Sequence, residues 1–174
     1  MPFAVELYLD DDADKRVRSI WEALDAGGVQ SLGSVPRSAY RPHVSLAVFD
    51  SGDGEVLDVV LREALQKSLG LVMSLPSLGF FLAEEPVAFL GVVPSVALLA
   101  AHRVVVDALA GVVIGYWPYY EPDALMPHCT LATAVREPAK VTQIVAGFGL
   151  PIVATITSAG LVEVPGGKSR LEVR

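Results

Sequence analysis

The pattern of apolar and polar residues along the chain predicts a mixture of short strands and amphipathic helices. Apolar runs that alternate or are bounded by Gly, Pro, Asp or Ser are typical of strands. They predict strands at residues 3–9, 43–49, 71–82, 87–93, 125–133, 150–164 and 170–174. Apolar residues at helical spacing predict a helix from Asp10 or Asp11 to Gly27, and three more at about 56–65, 95–110 and 138–147.

The order of these elements nearly repeats. The first half of the chain has the order strand, helix, strand, helix, strand, strand. The second half has the order helix, strand, helix, strand, strand. This order predicts an α+β fold made of a duplicated unit, in which two lobes with antiparallel sheets flanked by helices are related by a pseudo-twofold axis. A cleft is expected between the lobes. No linker divides the sequence, so residues 1–174 are predicted to form a single bilobal domain.

The apolar content supplies a core and does not predict a membrane span. The chain is 52% hydrophobic, with a mean hydropathy of +0.49. Its most apolar window, residues 87–101, is shorter than the roughly 20 residues of a spanning helix, and Gly91 and Pro94 interrupt it. The N-terminus lacks the pattern of a signal peptide, and Cys129 has no cysteine partner, so a cytoplasmic protein is expected.

The charge of the chain limits the kind of partner. Thirteen Lys and Arg residues stand against 20 Asp and Glu residues, which gives a net charge of −7. Proteins that hold long nucleic acids usually present broad basic surfaces. A small nucleotide or the end of an oligonucleotide is therefore favoured over a long duplex.

Two short stretches of the sequence repeat each other closely. They are "RPHVSLAVF" at 41–49 and "MPHCTLATA" at 126–134. Each has Pro-His, one apolar residue, a hydroxyl residue and Leu-Ala, and together they contain two of the three histidines. On strands, residues two apart share a face. His43 would thus lie beside Ser45, and His128 beside Thr130.

Two imidazoles and two hydroxyls in one cleft suit in-line displacement at phosphorus. One histidine can act as base for the attacking oxygen and the other as acid for the leaving oxygen, because imidazole titrates near neutral pH. The hydroxyls can donate to the non-bridging oxygens of the phosphate. The scheme requires no metal or other cofactor. The alternatives are a pair of core histidines, or a zinc site, which would need one or two further ligands.

The paired motifs resemble the signature of the 2H phosphoesterase superfamily, two His-x-Ser/Thr-hydrophobic motifs, in its 2′-5′ RNA ligase and RNA 2′,3′-cyclic phosphodiesterase branch. The resemblance extends over nearly the whole chain and implies a bilobal α+β fold. It also implies metal-independent opening of a cyclic or linear phosphodiester, typically a 2′,3′-cyclic phosphate, to a 2′-phosphate. His43 and His128 match the catalytic positions, while Ser45 and Thr130 match the phosphate-binding ones.

The sequence departs from that pattern at two places and leaves the function open. Ser45 stands where Thr is commoner, and Thr133 follows Leu131-Ala132 where many relatives have Arg, the nearest Arg being Arg136. A nucleotide-binding or RNA-end-binding module with little turnover, and a ligase-like activity, are therefore kept as alternatives. A monomer is expected for a bilobal chain.

Other residues are candidates for contacts with the substrate. Arg41 precedes the first motif, and the loop "GYWPYYEP" offers Trp117, Tyr119 and Tyr120 for stacking on a base. Ordinary packing or solvation of these side chains is the alternative. Cys129 is expected in the core. The third histidine, His102, is expected at a helix surface or between the lobes.

Overall fold

The computed structural model describes residues 1–174 as nine β-strands and four α-helices. The strands are β1 (Phe3–Leu9), β2 (His43–Gly52), β3 (Val72–Leu75), β4 (Ser77–Phe81), β5 (Val87–Gly91), β6 (Val113–Tyr116), β7 (His128–Ala132), β8 (Ile152–Glu163) and β9 (Lys168–Val173). The helices are α1 (Asp11–Ala26), α2 (Gly54–Gln66), α3 (Val96–Leu109) and α4 (Pro138–Val145). Each of the four predicted helices overlaps an observed one.

The strands form two antiparallel sheets of unequal size. A six-stranded sheet has the order β3-β8-β1-β2-β6, with β9 as a further partner of β8, and a three-stranded sheet has the order β4-β5-β7. The first motif lies on β2 in the larger sheet and the second on β7 in the smaller sheet. The predicted α+β fold class, with one motif in each lobe, is confirmed. The lobes differ in size because β6, β8 and β9, from the second half of the chain, join the sheet of β1.

One predicted strand and one predicted loop are wrong in detail. The strand predicted at 71–82 is two strands in different sheets, since β3 pairs with β8 and β4 pairs with β5. Pro76 separates them, and a proline has no N–H for the ladder of a sheet, so the chain changes sheets at this residue. The loop predicted from residue 115 onwards is not entirely a loop, because Gly115 and Tyr116 belong to strand β6. This strand has four residues and was too short to be predicted.

A single apolar core spans both sheets and the helices. It contains 38 buried residues, drawn from β1, β2, β5, β7 and β8 and from the inner faces of the helices. On α1 the buried residues Val17, Ile20 and Leu24 recur at the spacing of one helix face, as predicted. Because the same core lies under β2 and β7, it fixes the positions of the two motif strands.

The other face of the six-stranded sheet is also largely buried, but it is smaller and more polar. Its apolar cluster consists of Ala4, Tyr8, Val48 and Val162. Among these residues lie the buried polar side chains of Glu6 and Ser158. By strand alternation this face, not the core face, carries the polar residues of the first motif.

Asp10 joins the start of α1 to the six-stranded sheet. Its carboxylate accepts from the N–H of Ala13, which caps the helix, and from the N–H of Thr155 on β8. Burial by itself would raise the pKa of Asp10, but these backbone donors outweigh it and lower the pKa below the usual range of an aspartate. One side chain thus stabilises both the helix and its contact with β8.

We expect Asp10→Ala to lower the free energy of unfolding by about 1–2 kcal/mol, because it removes a helix cap and a hydrogen bond to β8. Asp12→Ala, at an exposed position in the same turn, should change it by less than about 1 kcal/mol. Urea titrations measure both values. Since the pKa of Asp10 is lower in the folded state, its contribution should be complete near neutral pH and disappear as the pH falls through that lowered pKa. If Asp10→Ala and Asp12→Ala lose the same free energy of unfolding at neutral pH, the stabilising role of Asp10 is contradicted.

Candidate active site

Strand β2 presents the first motif beside two polar residues of β1. The register pairs His43 with Tyr8, and Ser45 with Glu6. Paired residues on neighbouring antiparallel strands lie on the same face of a sheet, so these four side chains are together. The intervening Val44 is fully buried in the core, as the strand pattern predicts.

Strand β7 presents the second motif in the same way. The register pairs His128 with Gly91 and Thr130 with Phe89 of β5. Cys129 lies between them and is fully buried on the core side. Burial raises the pKa of the Cys129 thiol to about 12, so the thiol stays protonated and is no nucleophile at neutral pH.

Contacts between the lobes bring the two motif strands together. Trp21 of α1, which packs under the larger sheet, donates its indole N–H to the carbonyl of Thr130 at 3.3 Å. Strands β2 and β7 are in contact although they belong to different sheets. The charge on His43 also contributes to lowering the pKa of His128. The structure therefore places the two predicted histidines next to each other, across the boundary between the sheets.

Both histidines are held by the same local hydrogen bond. Nδ1 of His43 lies 2.6 Å from the carbonyl oxygen of Arg41, and Nδ1 of His128 lies 2.7 Å from that of Met126. A carbonyl only accepts, so Nδ1 carries the proton in both rings. Nε2 is consequently the nitrogen that each ring offers for proton exchange. The sequence predicted the histidines but not this matched pair of carbonyl contacts.

His128 lies in an apolar, aromatic environment. Its ring is 4.8 Å from the ring of Phe81 in an edge-on arrangement and 5.2 Å from that of Phe89. Gly79 makes room for Phe89, since a Cβ there would lie 2.5 Å from the ring. Burial lowers the pKa of His128 below 6.5, the nearby charge of His43 adds to this effect, and the Met126 carbonyl opposes it. His128 is therefore neutral at pH 7.

His43 lies in a polar environment. Its Nε2 is 3.4 Å from Oε1 of Glu6, and its ring stacks on that of Tyr40 with the centroids 6.3 Å apart. The other carboxylate oxygen of Glu6 accepts from the Tyr8 hydroxyl at 2.9 Å. Glu6 was not among the residues predicted from the sequence. The available signal was one charged residue inside the apolar strand "FAVELYL".

Tyr120 reaches the first motif from a short helical turn, Pro118–Tyr120. Its carbonyl accepts from Nε2 of His102 at 2.8 Å and from the hydroxyl of Tyr116 at 3.0 Å. Burial raises the pKa of Tyr120, while a hydrogen bond with the Ser45 hydroxyl lowers it. His102 is thus a buried residue that packs between α3 and this turn, and it does not lie at a helix surface.

The other residues with predicted contacts to the substrate are spread more widely. Tyr119 is 77% exposed. Trp117 donates its indole N–H to Asp50, seven residues, or roughly 23 Å, along β2 from His43. Arg41 places its guanidinium 3.9 Å from the centroid of the Tyr8 ring. Arg136 is exposed.

Two clefts adjoin the motifs. A polar cleft of about 410 Å³ is lined mainly by three arginines and three carboxylates, which are Arg18, Arg41, Arg174, Asp11, Asp14 and Glu172. A more apolar cleft of about 320 Å³ is lined in part by Met126 and Phe89. Arg41 and Met126 are also the residues whose carbonyls hold the two histidines, so each cleft begins at one motif.

No group of three or more His, Cys, Asp and Glu side chains is arranged as ligands of a metal ion. None of the four helices combines the length and the apolar character required to traverse a lipid bilayer.

Comparison with known proteins agrees with the motifs and the fold. The family model of the 2′-5′ RNA ligase superfamily matches residues 9–168. The solved structure of Usb1 from Kluyveromyces marxianus is similar, with a TM-score of 0.53 and 13% identity over 98% of this chain and 96% of that one. A structure of the same yeast protein with uridine monophosphate gives a TM-score of 0.49 at 12% identity over the same shares of the two chains. No curated protein sequence matches significantly.

The family match covers most of the chain, and it includes both histidine motifs. The similarity to Usb1 independently supports the fold. The chain therefore belongs to the 2′-5′ RNA ligase superfamily, within the 2H phosphoesterases that its paired motifs resemble.

Proposed function

We propose that this protein is a metal-independent phosphodiesterase that opens a cyclic or 2′-5′ nucleotide phosphodiester, typically converting a 2′,3′-cyclic phosphate to a 2′-phosphate. The observation that carries the proposal is the pair of neighbouring imidazoles, each with Nδ1 on a carbonyl two residues earlier and Nε2 free to exchange a proton. Membership of the superfamily supports the same reaction class.

The different surroundings of the histidines support distinct roles. His128 has a lowered pKa, so it is neutral and acts as the base that takes a proton from the attacking water. The water oxygen bonds to phosphorus, the bond from phosphorus to O3′ breaks, and His43 gives the proton on Nε2 to O3′. The products are a 2′-phosphate and a 3′-hydroxyl, and both histidines then exchange protons with solvent.

The phosphate is held by neutral donors. Ser45 and Thr130 donate their hydroxyls to non-bridging oxygens, which gain charge in the transition state. Tyr120 adds a third hydroxyl beside Ser45. Its raised pKa keeps the phenol protonated and able to donate. This set contains no cation, apart from a protonated histidine.

The substrate is a small nucleotide or the end of an oligonucleotide. The net charge of −7 disfavours a long duplex, whereas the polar cleft provides Arg41 for the phosphate of a neighbouring nucleotide. The apolar cleft beside His128 suits a base. We expect the protein to act as a monomer.

A nucleotide-binding module with little turnover is the second candidate. It is favoured by Thr133, which stands where many relatives have an arginine after the second motif. The first experiment below separates this candidate from an enzyme.

We expect the protein to hydrolyse nucleoside 2′,3′-cyclic phosphates in the presence of EDTA, with His43→Ala and His128→Ala each lowering kcat by about 10²–10⁴, since each removes a proton-transfer group. Chromatography of the products against 2′- and 3′-phosphate standards measures the reaction. Arg136→Ala, at an exposed position near the second motif, is the matched control and should remain active. Micromolar binding without turnover would favour the binding module. Activity that requires a divalent metal would contradict the mechanism.

We expect the acid limb of the kcat/KM profile to lie below pH 6.5, because the rate falls only when His128 becomes protonated and its pKa is lowered. Phe81→Ala should move this limb to higher pH, since the change exposes the ring of His128 to water. Phe80→Ala makes the same truncation at the neighbouring position, which packs against the core, and should leave the limb in place. If the acid limbs of the wild type and of Phe81→Ala coincide, burial is not what lowers the pKa of His128.

We expect Arg41→Gln to raise KM about tenfold or more for a dinucleotide that ends in a 2′,3′-cyclic phosphate, because it removes a charge-assisted hydrogen bond to the second phosphate. The cyclic mononucleotide, which lacks that phosphate, should be affected much less. Arg37→Gln, in the exposed part of the same loop, is the control. Steady-state kinetics on the two substrates test this contact, and equal effects on both would exclude it.

A further inference from the structure

Glu6 is a buried carboxylate at the catalytic centre, and neither the motifs nor the family match gives it a role. Only 3% of the residue is exposed. One carboxylate oxygen accepts from the Tyr8 hydroxyl at 2.9 Å, and the other lies 3.4 Å from Nε2 of His43. The register of β1 on β2 creates this contact by pairing Glu6 with Ser45.

Burying a carboxylate costs several kcal/mol unless hydrogen bonds and an opposite charge compensate. Tyr8 supplies a hydrogen bond, and burial together with the charge of Glu6 raises the pKa of its phenol, so the donor keeps its proton. The only positive charge that directly contacts the Glu6 carboxylate is a protonated His43.

We infer that Glu6 is a positioning residue that faces Nε2 of His43, stabilises the proton on this nitrogen and so assigns His43 the role of acid. The inference rests on the proposed function and extends it. Nδ1 donates to the Arg41 carbonyl, and Nε2 lies 3.4 Å from a carboxylate oxygen of Glu6. An anion beside the second nitrogen favours the imidazolium over the neutral ring.

The separation also allows the proton to be transferred. A strong charge-assisted hydrogen bond between nitrogen and a carboxylate is about 2.7–2.9 Å long. At 3.4 Å the carboxylate stabilises the charge on the ring without binding the proton tightly. The proton on Nε2 can therefore pass to the leaving oxygen of the substrate.

The other groups around His43 do not provide a second anion. β1 contributes Glu6 and Tyr8, the preceding loop contributes Tyr40 and Arg41, the Pro118–Tyr120 turn contributes Tyr120, and β7 contributes His128 and Cys129. The pKa values of Tyr8, Tyr120 and Cys129 are raised, so these three groups are neutral at pH 7. The guanidinium of Arg41 is paired with Glu172 at 3.4 Å, which offsets both of those charges.

The test compares Glu6→Gln with Glu6→Asp in the otherwise unchanged protein. Nitrogen-15 NMR of the substrate-free protein near pH 7 reports which ring nitrogens of His43 carry protons. We expect both nitrogens to be protonated in the wild type and in Glu6→Asp, and Nε2 to lose its proton in Glu6→Gln. The alkaline limb of the pH–rate profile should move down by about one pH unit or more in Glu6→Gln, and Glu6→Asp should largely restore it.

Two further variants complete the design. Glu163→Gln removes a carboxylate of the same sheet that faces Lys168, and it should change neither the spectrum nor the profile. If Glu6→Gln does not fold, Glu6→Thr supplies an uncharged residue that suits a strand, and the same changes are expected for it.

The two proposals can fail separately. A folded, uncharged Glu6 variant with the wild-type spectrum and profile would overturn the role of Glu6, even in an active phosphodiesterase. A wild-type protein without turnover, but with the expected spectra, would overturn the proposed function and leave the effect of Glu6 on His43 standing.

Discussion

Burial of alternate residues of β2 and β7 in one core is the constraint on which the site depends. Val44, Leu46, Cys129 and Leu131 are all fully buried. Because side chains alternate along a strand, their burial directs the intervening histidines and hydroxyls away from the core. The core extends under both sheets, so neither motif strand can shift without exposing apolar surface. The scaffold and the site therefore depend on the same two strands.

Similar backbone geometry supports two different electrostatic environments. Each histidine donates from Nδ1 to a carbonyl two residues earlier, so the rings are presented alike. Their neighbours then differ, with phenylalanines around His128 and a carboxylate near His43. An apolar environment disfavours the charged ring, and a nearby carboxylate favours it. A nearly symmetric pair of motifs can thus place its two imidazoles in opposite electrostatic surroundings.

Much of the fold was predictable from local patterns, and each of the two errors has a physical cause. The helices, both motif strands and the α+β class followed from periodicity and from Gly, Pro and Asp at the ends of elements. The break at Pro76 was missed because the apolar pattern continues across it, although the strands on either side belong to different sheets. The short strand β6 was missed because its pairing with β2 depends on residues distant in sequence.

The sequence by itself determined the repeated Pro-His-x-Ser/Thr-Leu-Ala motif, and with it the family and the four residues proposed for the site. Only the tertiary structure decided that the two motifs are adjacent, that Tyr120 reaches Ser45, and that Glu6 faces Nε2 of His43. Strand alternation is local and can be predicted from a few residues. The register between β1 and β2, and the contact between the sheets, depend on long-range packing of the whole core. Glu6 therefore became recognisable as part of the site only through the partner that the fold gives it.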